Sequence, residues 1–262
     1  MSDLFVKRIS SDNINFKYAK GNSARSGKEF HLFYEIILFL GGKADLITET
    51  IHMKLKPETL IVIPKETYHQ VVIKGKQEDY CRCVLEFQET ENIKNILGNN
   101  LQDLFITHMD KNTNFLFSKL VKLADESEHP FKDDYLQSIL VLLINEIFDK
   151  KSMDIEVELT DELTKQAIKY ISENLTNEIN LEDMAYALNV SLSTLMHNFK
   201  SSMNISIYKY ILKKRLILAH VKISNGEAAT VVATECGFND YSGFYRQYKK
   251  MFDVTPSSRE RK

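Results

Sequence analysis

Cysteine is scarce in this chain, and so are long apolar runs. The 262 residues contain three cysteines, Cys81, Cys83 and Cys236. An odd, sparse set builds no disulfide framework, and the Cys-x-Cys pair lacks the second pair that a zinc site needs. They are expected as reduced core or sheet residues. No stretch approaches the ~18 uninterrupted apolar residues of a membrane span. The longest, FYEIILFL, is itself interrupted by Glu35. The opening residues, MSDLFVKRISSDNINFK, hold no apolar run of signal-peptide length. These absences point to a cytoplasmic protein with no membrane partner.

An excess of either charge is also missing, since the formal net charge is −2. The balance conceals an asymmetry. Residues 191–262 contain 12 Lys/Arg against 5 Asp/Glu, and residues 1–190 contain 22 against 31. A basic module is therefore attached to an acidic body, an arrangement suited to a polyanionic partner. The length suits two domains, each long enough to bury its own core.

Residues 1–90 read as strands. HLFYEIILFL is apolar on both parities, as in a strand buried on both faces. TLIVIP and YHQVVI are short β-branched runs around Pro64, and DYCRCVLEF alternates. From residue 91 the period changes to helical. Helices are expected at 113–128 and 132–150, with Pro130 as the breaker between them and Asp133 or Asp134 as a cap. The charged, aperiodic KKSMDIEVEL reads as a linker. The expected fold is α+β in two domains. Residues 1–152 form a β-barrel or sandwich with two helices, 153–160 a linker, and 161–262 an all-α domain.

The all-α part repeats itself. LEDMAYALNVSLSTLMHNFKSSMNIS (181–206) aligns with ATVVATECGFNDYSGFYRQYKKMFDVT (229–255) at an offset of 48, which becomes 49 after the turn. Each copy reads as a helix-turn-helix. Ala185 and Ala233 let the first helix approach the second. Asn189 and Gly237 supply the positive φ of a sharp turn. Ser191 and Asp240 are placed to cap the second helix. Leu195 and Phe199, and in the second copy Phe244 and Tyr248, form its buried stripe. Asn204 and Asp253 stand where a helix end favours a left-handed residue.

Residues 165–259 resemble the tandem helix-turn-helix DNA-binding domain of the AraC/XylS family of bacterial transcription regulators. Ala233, Gly237, Phe238, Asp240, Ser242, Phe244, Arg246, Tyr248, Lys249, Lys250, Phe252, Thr255 and Pro256 fit its signature. The resemblance implies two recognition helices, joined by a long connecting helix, in successive segments of the major groove of double-stranded DNA. It places base-edge readers at Ser193, Met196 and His197 and at Ser242, Gly243 and Arg246. Thr194, Lys200, Tyr245 and Lys249 fall among the phosphate contacts, and Tyr241 belongs to the same polar face. Two positions depart from the family. His197 replaces the usual Arg, so readout there is expected to be weaker or sensitive to pH. Gly243 supplies no side chain.

The first half resembles the family's cupin-like sensor domain in having His31, Glu35, a turn, Pro64 and His69. His31, Phe33 and Glu35 share one strand parity and are expected to face the barrel interior, with His69 arriving from a second strand. The pattern departs from metal-binding cupins, with Phe33 in place of their second histidine. Three readings stay open for His31, Glu35 and His69: a metal site, a polar clamp in a ligand pocket, or satisfied polar residues at the barrel mouth. The expectation is a clamp of His31, Phe33, Glu35 and His69 for a small-molecule, sugar-like effector, with no metal and no cofactor. The helices at 113–128 and 132–150 match the place where relatives dimerise, so a homodimer is expected. The whole reads as a ligand-responsive activator and not an enzyme. The competing reading is a cupin isomerase or oxygenase with an accessory helix-turn-helix domain.

Overall fold

The computed structural model describes residues 5–21, 30–97, 103–126, 129–150 and 158–257. The chain divides into two compact units, Met1–Glu158 and Leu159–Lys262. Most of the segment expected as the linker lies outside the described residues.

The first unit is built on two antiparallel sheets. Its strands are β1 (Phe5–Ser10), β2 (Ile14–Lys20), β3 (Tyr34–Gly41), β4 (Ala44–Thr48), β5 (Ile51–Lys54), β6 (Thr59–Ile63), β7 (His69–Ile73), β8 (Cys81–Phe87) and β9 (Phe105–His108). The larger sheet runs β1-β2-β8-β3-β6-β9. In the smaller, β4 pairs with β5 on one side and β7 on the other.

The apolar character of β3 on both parities has a direct cause. Ile36 and Leu38 enter one core with Leu60 and Val62 of β6 and Leu85 of β8. Ile37 and Phe39, one residue out of step, enter a second core with Ile61, Ile63, Leu46, Met53 and Val71. The second core lies between the sheets. The first lies on the other face of the large sheet, under α2 (Lys111–Leu123) and α3 (Lys132–Phe148), whose Leu116, Leu120, Leu136, Leu140, Leu143 and Ile147 complete it. Burying a strand on both faces needs apolar residues at every position, which is why alternation is absent there.

Several local expectations need correction. Helix α1 (Glu91–Leu97) and strand β9 fall in a region read as two helices only. β9 forms because it pairs with β6, Ile61 facing Ile106, a tertiary contact that a four-residue strand does not announce. Helix α3 starts at Lys132, so Asp133 and Asp134 sit in its first turn and do not cap it. The N-cap the sequence did not reveal is Asp110 on α2. Its carboxylate accepts from Thr113 N at 2.8 Å while Asp110 N donates to Thr113 Oγ1 at 2.9 Å.

The second unit is helical: α4 (Glu162–Glu173), α5 (Leu181–Ala187), α6 (Leu192–Met203), α7 (Ile207–Ser224), α8 (Ala229–Glu235) and α9 (Tyr241–Phe252). Among the described residues no helix is long and apolar enough to cross a membrane. The α5–α6 and α8–α9 pairs are the two copies of the repeat, and α7 connects them.

Candidate functional site

The two copies share one turn, bond for bond. After α5, Asn189 takes φ 55°, Val190 N donates to Ala185 O at 3.0 Å and Asn189 N to Tyr186 O at 3.0 Å. After α8, Gly237 takes φ 78°, Phe238 N donates to Ala233 O at 3.0 Å and Gly237 N to Thr234 O at 3.0 Å. This pairing of a six-to-one bond with a left-handed residue is the Schellman stop. The second helices then start on caps. Ser191 Oγ accepts from Thr194 N at 3.1 Å, and Asp240 Oδ1 accepts from Gly243 N at 2.6 Å. Asn204 and Asp253 end α6 and α9 in the left-handed conformation, φ 52° and 61°.

The inner faces of α6 and α9 are buried: Leu195 and Phe199 in one, Phe244 and Tyr248 in the other. Their outer faces are open. Ser193, Thr194, Met196, His197 and Lys200 are exposed on α6, as are Tyr241, Ser242, Arg246 and Lys249 on α9, while Tyr245 is half-buried. The Thr194 hydroxyl lies 2.8 Å from Ser191 Oγ, so it serves the cap as well as the outer face. Gly243 also has a structural reason: a β-carbon there would stand 2.6 Å from the capping Asp240 Oδ2.

Two features escaped the sequence reading. Tyr208, near the start of α7, is exposed and lines a surface groove of about 540 Å³ with Met196, His197 and Lys200. Arg215, in the middle of α7, ties the unit together. Its Nε donates to Leu175 O at 2.8 Å, Nη2 to Asn177 O at 2.5 Å, and Nη1 to Gly237 O at 2.8 Å. One guanidinium thus joins the loop before the first repeat to the turn of the second. KRLILAH around Arg215 fits the connecting helix of the AraC/XylS family, but three backbone acceptors from two loops leave no local pattern.

In the first unit the structure brings His31, Glu35 and His69 together, but not from a shared strand as expected. Glu35 lies on β3; His31 and Phe33 precede it. The ladder stops because Glu35 pairs with Ile63 and the next residue on that side is Pro64, which has no N–H to give. His31 instead folds back on its own backbone. Its Nδ1 donates to Phe33 O at 2.8 Å, and its ring stacks on the half-buried Phe33 ring with centroids 4.0 Å apart. His69 begins β7 in the other sheet, so it meets Glu35 from across the sandwich.

Glu35 Oε2 sits 3.0 Å from His31 Nε2 and 2.8 Å from His69 Nε2, and all three residues are buried. Burial by itself would raise the Glu35 pKa. Where the His31 and His69 Nε2 atoms carry protons, their hydrogen bonds outweigh it and hold the carboxyl well below the usual carboxylate range, so it is ionised at neutral pH.

Comparison with known proteins follows the same division. A family described as "Helix-turn-helix domain" matches residues 184–262. The chain is 31% identical over 112 residues to an uncharacterized HTH-type transcriptional regulator of Pseudoalteromonas carrageenovora, covering 43% of this chain and 67% of that protein. Along nearly its whole length it is similar to the Msm operon regulatory protein of Streptococcus mutans, 24% identical over 97% of this chain and 91% of the relative. It is 23% identical to the HTH-type transcriptional activator RhaS of Mannheimia succiniciproducens over 86% of each chain.

Proposed function

This chain belongs to the AraC/XylS family of DNA-binding transcription regulators, and we propose that it grips promoter DNA with α6 and α9 in successive major-groove segments. The observation behind this reading is the duplicated turn: two Schellman stops and two side-chain caps, each presenting a buried apolar stripe inward and a polar face outward. A unit that repeats its geometry so closely presents two equivalent faces, as a tandem groove reader needs. Arg246 has the donors for a bidentate grip on guanine, with Ser193, Met196, His197 and Ser242 as further base-edge readers. Lys200, Lys249, Thr194, Tyr241 and Tyr245 set the register through phosphates.

The first unit is the cupin-like sensor in this reading, and its effector is a small, polar, sugar-like molecule. A buried carboxylate and two imidazoles at the edge of an apolar core suit hydroxyl groups, and Phe33 beside His31 supplies an aromatic face. The chain acts as a homodimer in the cytoplasm, as an activator and not as an enzyme. Support for the dimer comes from α2 and α3, where Phe115 and Leu142 are 58% and 51% exposed. Pairing two basic modules raises affinity through effective concentration. The domains proposed are 1–152 for sensing and dimerisation and 161–262 for DNA. The resemblance to an activator such as RhaS favours activation.

The test is fluorescence anisotropy of the full chain on DNA from upstream of its own gene, with and without sugars. A specific complex whose affinity or occupancy responds to a sugar supports the reading. A chain that binds the DNA identically with every sugar tested contradicts the sensor part alone.

A further inference from the structure

We propose that His31, Glu35 and His69 hold a divalent first-row transition-metal ion. The inference rests on the reading of this cluster as the binding site of the sensor unit, and names the class of ligand it takes first.

The far side of each ring fixes its tautomer. His31 Nδ1 lies 2.8 Å from Phe33 O, and His69 Nδ1 lies 3.2 Å from Thr67 O. A carbonyl oxygen only accepts, so each Nδ1 carries the proton and donates. In a neutral imidazole that leaves Nε2 with a bare lone pair. Both Nε2 atoms point at one atom, Glu35 Oε2, at 3.0 and 2.8 Å. The carboxylate oxygen is itself an acceptor. Three electron-rich atoms therefore converge in a buried cluster.

Two arrangements satisfy them. Each ring takes a second proton, which puts two imidazolium rings 4.7 Å apart, centroid to centroid, around one carboxylate. Alternatively one cation sits among the three donors. Both leave the same net charge. The first places like charges side by side where water is excluded, and burial makes such repulsion costly. The second puts the charge between the donors and bonds every lone pair.

Geometry agrees with the ion. The candidate ligand atoms lie within 4.8 Å of one another and all three residues are buried; two bonds of about 2.1 Å span at most about 4.2 Å, so the imidazoles would close slightly on the ion. Metal–nitrogen and metal–oxygen bonds of about 2.0–2.1 Å put adjacent ligands at right angles about 2.9 Å apart, which is the spacing of the Nε2 and Oε2 atoms. The outer contacts fit too. A ligating histidine ordinarily donates its other N–H to a carbonyl or carboxylate, fixing the ring and its tautomer, and both rings do so. Two imidazoles and a carboxylate suit zinc or iron(II) and leave coordination positions open. Those positions are where oxygens of a sugar-like effector would bind.

The donors come from three places: the segment before β3, β3 itself, and the start of β7 in the other sheet. An ion here would bridge the two sheets and stabilise the unit by mass action.

The experiment uses the full chain stripped with a chelator and titrated with zinc chloride or cobalt chloride alone. The expected result is one ion per chain, with visible d–d bands of low-symmetry cobalt and a rise in Tm. Glu35→Gln keeps the side chain's size, and His69→Ala removes a donor. Both are expected to weaken binding by more than the about 10–100-fold that loss of an outer partner costs. Their metal-free Tm and circular dichroism identify any variant that has failed to fold, and Glu35→Gln is read if His69→Ala has. Absent stoichiometric binding, or affinity unchanged in both folded variants, overturns the proposal. So does nitrogen NMR showing both Nε2 atoms protonated with the metal in excess. Repeating a sugar screen with and without zinc separates the two readings. Zinc binding with no sugar response removes the effector reading and leaves the ion. A sugar response undiminished by chelator removes the ion and leaves the effector.

Discussion

The Arg215 guanidinium fills the space that a side chain at position 237 would need. A β-carbon on Gly237 would lie 2.8 Å from Arg215 Cζ, while Arg215 Nη1 donates to the Gly237 carbonyl at 2.8 Å. The turn of the second repeat and the connecting helix are thereby fitted to each other. Neither residue can change without disturbing both.

Gly237→Ala meets two costs at once, a positive φ and a clash with Arg215. Together they are expected to destabilise the helical unit by about 1–3 kcal/mol. At the matching position of the first repeat, Asn189 already tolerates φ 55°, so Asn189→Gly is expected to change stability by only a few tenths of a kcal/mol. Denaturant unfolding followed by circular dichroism compares the two. Repeating Gly237→Ala in an Arg215→Ala background isolates the clash, and an unchanged cost there would show that the Arg215 contact contributes nothing.

The caps of the recognition helices give a second comparison. Ser191→Ala and Asp240→Ala are each expected to lower stability by about 1 kcal/mol. Asp240→Ala also frees the first turn of α9, because Gly243 N loses its acceptor. Amide hydrogen exchange in residues 241–244 should quicken in Asp240→Ala and stay unchanged in Ser191→Ala.

Much of this second unit was legible in sequence because it is local. A turn needing positive φ, a cap two or three residues on, and apolar residues at helical spacing are all encoded within about twenty residues. Arg215 was not legible in the same way, since its acceptors at 175, 177 and 237 are far from it in sequence. In the first unit the strands around β3 were readable from β-branched runs. Strand β9 was not, because it exists through its pairing with β6. The convergence of His31, Glu35 and His69 followed from the pattern, but its route did not. Pro64 ends the ladder, and the histidine reaches Glu35 by folding back on Phe33.

Asp110 makes the first unit's stability depend on pH at the acid end. Burial would raise its pKa, but the Thr113 backbone N–H, the Lys150 ammonium and the Thr113 hydroxyl pull it from 3.8 down to about 2. A depressed carboxyl stabilises above its unfolded pKa, and the contribution fades as pH falls through the folded one. Asp110→Ala is therefore expected to cost about 1 kcal/mol near neutral pH, the loss shrinking from about pH 4 toward pH 2. The side chain is partly exposed, so salt should reduce the effect. Urea unfolding at a series of pH values measures the difference.

Leu142 tests the dimer. It is exposed on α3, while its neighbours Leu140 and Leu143 are buried in the core. Leu142→Glu is expected to leave the fold intact and shift the protein to monomer in sedimentation velocity. A monomeric wild type, or an unaffected dimer in the variant, would move the partner surface elsewhere.

The most direct measurement is the salt dependence of DNA binding by the wild type, Arg246→Ala and Lys249→Ala, on DNA from upstream of the gene and on scrambled DNA. The account predicts that log affinity falls linearly and steeply with log salt. Arg246→Ala should lose about 1–3 kcal/mol of discrimination at one base pair, and Lys249→Ala should weaken all sequences alike and lower the salt slope by about one. A full chain with no affinity for either DNA at low salt would contradict the account.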